Sequence, residues 1–175
     1  MSGAENSTSE RWTLSARFIQ DQIPRASVRT TLTYRLHPRV AGGIEYNPRA
    51  GKASPLANWL VLPETRNRPA VILGTSSDRI GTPSGQSFYA TASKNLKRET
   101  RLPVAPYAGW AYGAYQARLR FIGGLSVGFG ERVTALAIFD GVHVHPLANF
   151  SWSRHVFSFL LARGREPGVS YSISF

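Results

Sequence analysis

From Ala26 to His37 the chain alternates without a break. Ala26, Val28, Thr30, Leu32, Tyr34 and Leu36 fall on one side of an extended segment, and Ser27, Arg29, Thr31, Thr33, Arg35 and His37 on the other. A period of two marks a β-strand whose two faces meet different surroundings. The theme recurs. Trp12, Leu14, Ala16 and Phe18 alternate with Thr13, Ser15 and Arg17, and Val40, Gly42, Ile44 and Tyr46 with Gly43, Glu45 and Asn47. Leu119, Phe121, Gly123, Leu125, Val127 and Phe129 alternate with Arg118, Arg120, Gly124, Ser126 and Gly128, interrupted only by Ile122. Turn residues at Gln22-Ile23-Pro24-Arg25, Asn47-Pro48-Arg49, Asp140-Gly141, Ser153-Arg154-His155 and Arg165-Glu166-Pro167-Gly168 separate such runs. Strands are expected over 11–20, 26–37, 40–47, 56–63, 69–77, 86–95, 104–114, 118–129, 132–140, 142–152, 155–163 and 168–175.

The fold class predicted is all-β: an antiparallel up-and-down barrel of about 12 strands (range roughly 8–14) over 11–175, preceded by a polar, disordered segment over 1–10. Alternation does not say which face is wet. Strand length bears on it, because the 26–37 run matches the roughly 9–11 residues of a tilted membrane strand better than the mean of about 5–6 in soluble sheets. The small glycines and serines interleaved with arginine suit a narrow lumen. Both points favour a transmembrane barrel, apolar outside and polar within.

Composition narrows the chemistry. The chain has no cysteine, which removes disulfides, thiolate metal sites and thiol nucleophiles. No apolar run approaches the roughly 20 residues of a membrane helix, so a closed barrel is the remaining way to span a bilayer. The net charge of +11 comes mainly from arginines spread among the strands, without the block, stripe or stacking platform of a nucleic-acid binder. No nucleic-acid partner is expected. The N-terminal ten residues hold no apolar core of a signal peptide, so an exported form would be the mature one.

The last residues, Val169-Ser170-Tyr171-Ser172-Ile173-Ser174-Phe175, alternate strictly and end on an aromatic. This ending resembles the closing strand of bacterial outer-membrane barrels. The resemblance implies an outer-membrane location, outer-membrane lipid (or detergent in its place) and the barrel-assembly machinery as partners, other envelope proteins as further candidates, and Tyr171, Ile173 and Phe175 as the assembly signal. Upstream, Arg68-Pro69-Ala70-Val71-Ile72-Leu73-Gly74, Asp78-Arg79-Ile80-Gly81-Thr82, Phe88-Tyr89-Ala90-Thr91-Ala92-Ser93-Lys94, Phe121-Ile122-Gly123-Gly124-Leu125 and Phe139-Asp140-Gly141 follow one another. In that order they resemble the YjbH-like family of outer-membrane proteins associated with exopolysaccharide production, with Ile138 where that family has an acid. The resemblance implies an envelope role and transfers no catalytic residue.

Three groups of residues are candidate sites. Arg17, Arg29, Arg35, Arg118 and Arg120 share the polar face with a single acid, Glu45, expected across the hairpin from Thr33 and diagonal to Arg35. Excess positive charge in a lumen attracts anions; a packed polar core that conducts nothing is the other reading. Arg66, Arg68, Lys97, Arg98 and Arg101, with Lys94, lie in connections, where they would meet lipid A phosphates or an acidic glycan, or remain solvated. His143, His145 and His155, with Ser151 and Ser153, raise a metal site or a lipid-modifying hydrolase. No Gly-x-Ser-x-Gly elbow accompanies them and His143 and His145 fall on the inward face, so lumen histidines are expected, with no metal, no cofactor and no enzymatic activity. A soluble ligand-binding barrel and an outer-membrane lipid-modifying enzyme are the alternative functions.

Overall fold

The computed structural model describes residues 10–20 and 23–175; apart from Glu10, the polar segment 1–10 lies outside the described residues. Twelve strands close into one antiparallel barrel, each paired with its sequence neighbours and the first with the last. They are β1 (Trp12–Ile19), β2 (Val28–His37), β3 (Val40–Asn47), β4 (Lys52–Leu62), β5 (Ala70–Ser77) and β6 (Gln86–Ser93), then β7 (Val104–Gly113), β8 (Arg118–Phe129), β9 (Val133–Phe139), β10 (Val144–Trp152), β11 (His155–Ala162) and β12 (Glu166–Ser174). Two single helical turns, α1 (Pro24–Ser27) and α2 (Lys97–Thr100), lie in connections.

Most strand ends move by one or two residues from the sequence pattern, and three of the differences fall at prolines. The residues expected to open the second strand instead complete α1, because Pro24 has a φ suited to the first helical turn. β4 begins at Lys52 rather than 56, with Pro55 taken into the ladder opposite Ile44. β12 begins at Glu166 and takes in Pro167 opposite Leu161. Proline lacks only one donor, so a strand can continue where that donor is not needed.

The barrel is inside out relative to a water-soluble domain. Trp59, Trp110, Phe121 and Phe159 on the outer wall are 48–53% exposed, while inward-facing Glu45, Asn47 and His145 are 0%, 1% and 5% exposed. Outer aromatics pair along the wall, Trp12 with Tyr34 at 4.7 Å and Trp110 edge-on to Phe121 at 5.6 Å. Two tyrosines point inward but lie flat. Tyr89 covers Gly74 on the adjacent strand and its hydroxyl donates to Asn58 Oδ1 at 2.5 Å; Tyr107 covers Gly124 in the same way. A side chain at either glycine would overlap the ring, so glycine lets the tyrosine rest against the wall instead of filling the bore.

The start of β1 and the end of β12 lie at one end, which we call the terminal end. The backbone closes the ring there: Arg11 and Trp12 donate their N–H groups to Phe175 O at 3.1 and 2.8 Å, and Phe175 N–H donates to Trp12 O at 2.9 Å. The seam above is stitched by hydroxyls, Ser172 Oγ to Ser15 Oγ at 2.8 Å and Thr13 Oγ1 with Ser174 Oγ at 3.1 Å. The opposite, loop end carries α1 and the connections following β3, β5, β7, β9 and β11.

Candidate functional site: a lumen with one covered mouth

The connection from Asp78 to Gly85, between β5 and β6, does not project from the loop end. β5 and β6 stand opposite β11 and β12 in the ring, and the loop reaches across. Ile80 packs on Ile19 of β1, Leu160 and Ala162 of β11 and Leu147 of β10, a small apolar cluster inside an otherwise polar bore. Gly168 makes that cluster possible: a Cβ there would lie 2.9 Å from Ile19 Cγ1 and 3.2 Å from Leu160 Cγ. The loop is a plug seated on an apolar floor.

Arg25 of α1 is the latch. Only 6% exposed, it donates Nε to Thr82 O at 2.6 Å, and Nη2 to Asp78 O at 3.0 Å, Arg79 O at 2.6 Å and Thr82 Oγ1 at 2.7 Å. A planar guanidinium presents several donors in fixed directions, so one side chain can hold the inner surface of a turn. Burial lowers the Arg25 pKa from its ordinary value, with Glu45 and Asp78 opposing that effect. Asp78 ties the loop to the next connection, accepting Arg79 N–H at 2.8 Å and Tyr115 N–H at 3.2 Å while lying against Gly113. Gly81, at φ +96°, leaves space that the Arg163 guanidinium occupies. The plug is thus held from α1, the β7–β8 connection and the β11–β12 connection.

The lumen arginines fall into three settings. Arg17 and Arg29 face each other directly across β1 and β2. Glu45 pairs with Arg29 (Nη2 to Oε2, 2.5 Å) and accepts Asn47 Nδ2 at 3.1 Å. The expected pairing of Glu45 with Arg35 is corrected: Glu45 lies opposite Thr31, not Thr33, because the two-residue turn Pro38-Arg39 and the one-residue bulge between Arg35 and His37 together move the ladder by two. Arg35, opposite Ala41, sits toward the terminal end. Arg118 and Arg120 occupy the inward face of β8 at the loop-end mouth, where Arg118 is exposed and Arg120 donates to Gln116 Oε1 at 2.6 Å. With Asp78, Arg79 and Asp140 they line a cavity of about 30 Å³, room for one or two waters.

The histidines do not converge. His145, inward and buried, accepts Arg163 N–H at Nδ1 (3.1 Å), so Nε2 carries the proton and donates to Asp140 Oδ2 (3.0 Å). Neither ring nitrogen is left for a serine or a metal. Burial would raise the Asp140 pKa, but hydrogen bonds from His145, His143 N–H and Val142 N–H outweigh it and hold the carboxyl below its ordinary value. His155 points outward, its Nδ1 2.7 Å from the Tyr171 hydroxyl. Among the described residues no cluster of three potential metal ligands forms.

Tyr171, Ile173 and Phe175 share the outer face of β12, opposite Ala16, Leu14 and the start of β1, with Phe175 52% exposed. The basic connection residues lie at the terminal end. Arg66, Lys97 and Arg98 line a groove of about 420 Å³ with Lys94, Glu64 and Glu99. Lys94 Nζ is committed to Thr65 O and Arg66 O, both at 2.6 Å, and Glu64 to Asn95 N–H at 3.1 Å. Arg68 and Arg101 are outside the groove; Arg68 O anchors Thr65 N–H, and Arg101 ends α2 at φ 60°. Sequence reasoning missed Arg25, Asp78 and Ile80. All three sat in connections, and their only shared signal was a buried-type residue, Ile80, inside a turn.

No family model matches the chain, and a search of curated proteins finds no relative.

Proposed function

We propose that this chain is a non-enzymatic bacterial outer-membrane β-barrel whose arginine-lined, anion-attracting lumen is shut at the loop end by the plug over 78–85. One observation carries the membrane reading: the large apolar and aromatic side chains cover the outside of a closed barrel, and the charges lie within. A wall of this kind is unstable in water and suits hydrocarbon. The even strand number, the pairing of the first strand with the last and the outward terminal Phe175 accord with assembly in that membrane.

The test is folding in the presence and absence of detergent. The protein should become monodisperse only in micelles or bilayers and run faster on a gel unheated than boiled. A folded monomer in plain buffer overturns the membrane reading in favour of a soluble ligand-binding barrel. Phe175→Ala should leave refolding in detergent near normal but lower insertion in cells; equal surface levels of variant and parent would remove the assembly role. The resemblance over 68–141 extends the proposal to an exopolysaccharide-associated envelope function, which a deletion strain with unchanged surface polysaccharide would rule out.

A further inference from the structure

Among the described residues, none accepts from Arg17 Nε. Its Nε is shut off from solvent without a partner, and so is the Nε of Arg29 directly opposite. Like charges facing each other across a strand pair repel, and a guanidinium removed from water without compensation is costly. Glu45 supplies one carboxylate for these two arginines and spends it on Arg29 and Asn47. Arg25, the other cation within reach of Arg17, turns its donors to backbone oxygens and Thr82 of the plug and adds charge to the region. On the far side of Arg17 the register partner is Ser170 of β12, a neutral donor. The two stranded nitrogens thus lie in a positively charged cluster next to Arg25, the latch of the plug.

We propose that Arg17 and Arg29 together hold a small anion, chloride or an oxyanion no larger than phosphate, in the lumen under the 78–85 plug. The anion would accept from the guanidinium groups of the two arginines, neutralise the excess charge and relieve the repulsion between β1 and β2. The proposal rests on the inward orientation of these arginines and deepens the reading of an anion-attracting lumen: one resident anion beneath the plug, not a diffuse cloud.

The experiment uses the full chain folded in a neutral detergent and first exchanged into sodium gluconate, whose anion is larger than chloride or phosphate. Thermal unfolding is followed while chloride, or in a second series inorganic phosphate, replaces gluconate at constant ionic strength, which keeps screening fixed. A ligand that binds only the folded state raises the transition in a saturable way. The expected result is saturable stabilisation of the parent by chloride, phosphate or both. In Arg17→Gln the midpoint should move to about tenfold higher concentration or beyond, a loss of about 1.4 kcal/mol of binding. Arg118→Gln, at the exposed mouth, should respond like the parent. Should Arg17→Gln not fold, Arg17→Lys keeps the charge but loses the fork and should weaken the response in the same direction. An unsaturable response, or one equal in the parent, Arg17→Gln and Arg118→Gln, overturns the proposal. The outcome is separate from the membrane reading: a protein that folds without detergent fails that reading, yet its anion response can still be measured in buffer.

Discussion

The two ends of the lumen are built from the same alternating strands yet differ in what fills them. At the loop end, Arg17, Arg25, Arg29, Glu45, Asp78, Asp140 and His145 gather around a segment that crosses the mouth. At the terminal end, hydroxyls and small residues such as Ser15, Ser172, Thr13 and Gly43 line the wall, and the connections bond to each other and to adjacent strands. Long inward side chains must find partners or water, so a charged half demands an internal network. A wall of Ser, Thr and Gly imposes no such demand. The difference shows how one sheet can carry a charged network at one end and a hydroxyl-lined wall at the other without changing its strand pattern.

The latch is where this comparison is easiest to break. Arg25→Ala removes four hydrogen bonds, made by Nε and Nη2, from the plug; Arg79 O keeps Thr82 as a donor, so at about 1 kcal/mol for each of the other acceptors the seated loop should lose about 3 kcal/mol relative to the open one. Protease cleavage within 78–85 and current across a planar bilayer should both appear in the variant. Lys94→Ala, which strips a comparable lysine anchor from the terminal-end connections, should change neither. A variant as protease-resistant and as silent as the parent would show that the Ile80 cluster alone holds the plug.

With the latch opened, charge is the next contrast. Current through an Arg25→Ala protein should favour anions, and adding Arg29→Glu and Arg35→Glu should move selectivity toward cations. Separating the two substitutions sharpens the comparison. Arg29→Glu sets two carboxylates side by side in the charged cluster, opposite Arg17, and should shift the reversal potential more than Arg35→Glu toward the terminal end. Equal shifts would mean that permeating ions sense only net charge.

The smallest expected effect is on acid stability. Asp140 is held below its ordinary pKa, so it contributes stability that is fully present above the unfolded carboxyl pKa near 4 and is lost as pH falls through the folded value. The parent's unfolding temperature in detergent should therefore drop below about pH 4, and Asp140→Asn should show a shallower drop. Identical acid profiles would place the acid sensitivity elsewhere, Glu45 being the next acid to substitute.

Much of the fold was legible from the residues. Alternation over 12–18, 28–36 and 119–129 placed the strands and their faces correctly, and the inward side of Arg17, Arg29, Glu45, Arg118 and Arg120 followed from it. The partner of Glu45 did not. A slip of two residues along a hairpin leaves every side chain on its own face, so the hydrophobic pattern cannot tell Thr31 from Thr33 as the residue opposite. The turn Pro38-Arg39 and the bulge at Arg35/His37 together made that choice, through geometry that alternation does not encode.

The chain by itself determined alternating strands that carry arginine on one face, because a period of two is a local property of a few consecutive residues. Only the tertiary structure decided that the barrel closes between Phe175 and Trp12, that Arg25 meets Thr82 some 57 positions away, and that Ile80 settles on Ile19 and Leu160. Those contacts depend on which strands stand opposite one another once the ring is shut. No local pattern of side chains carries that information, since it comes into being with ring closure.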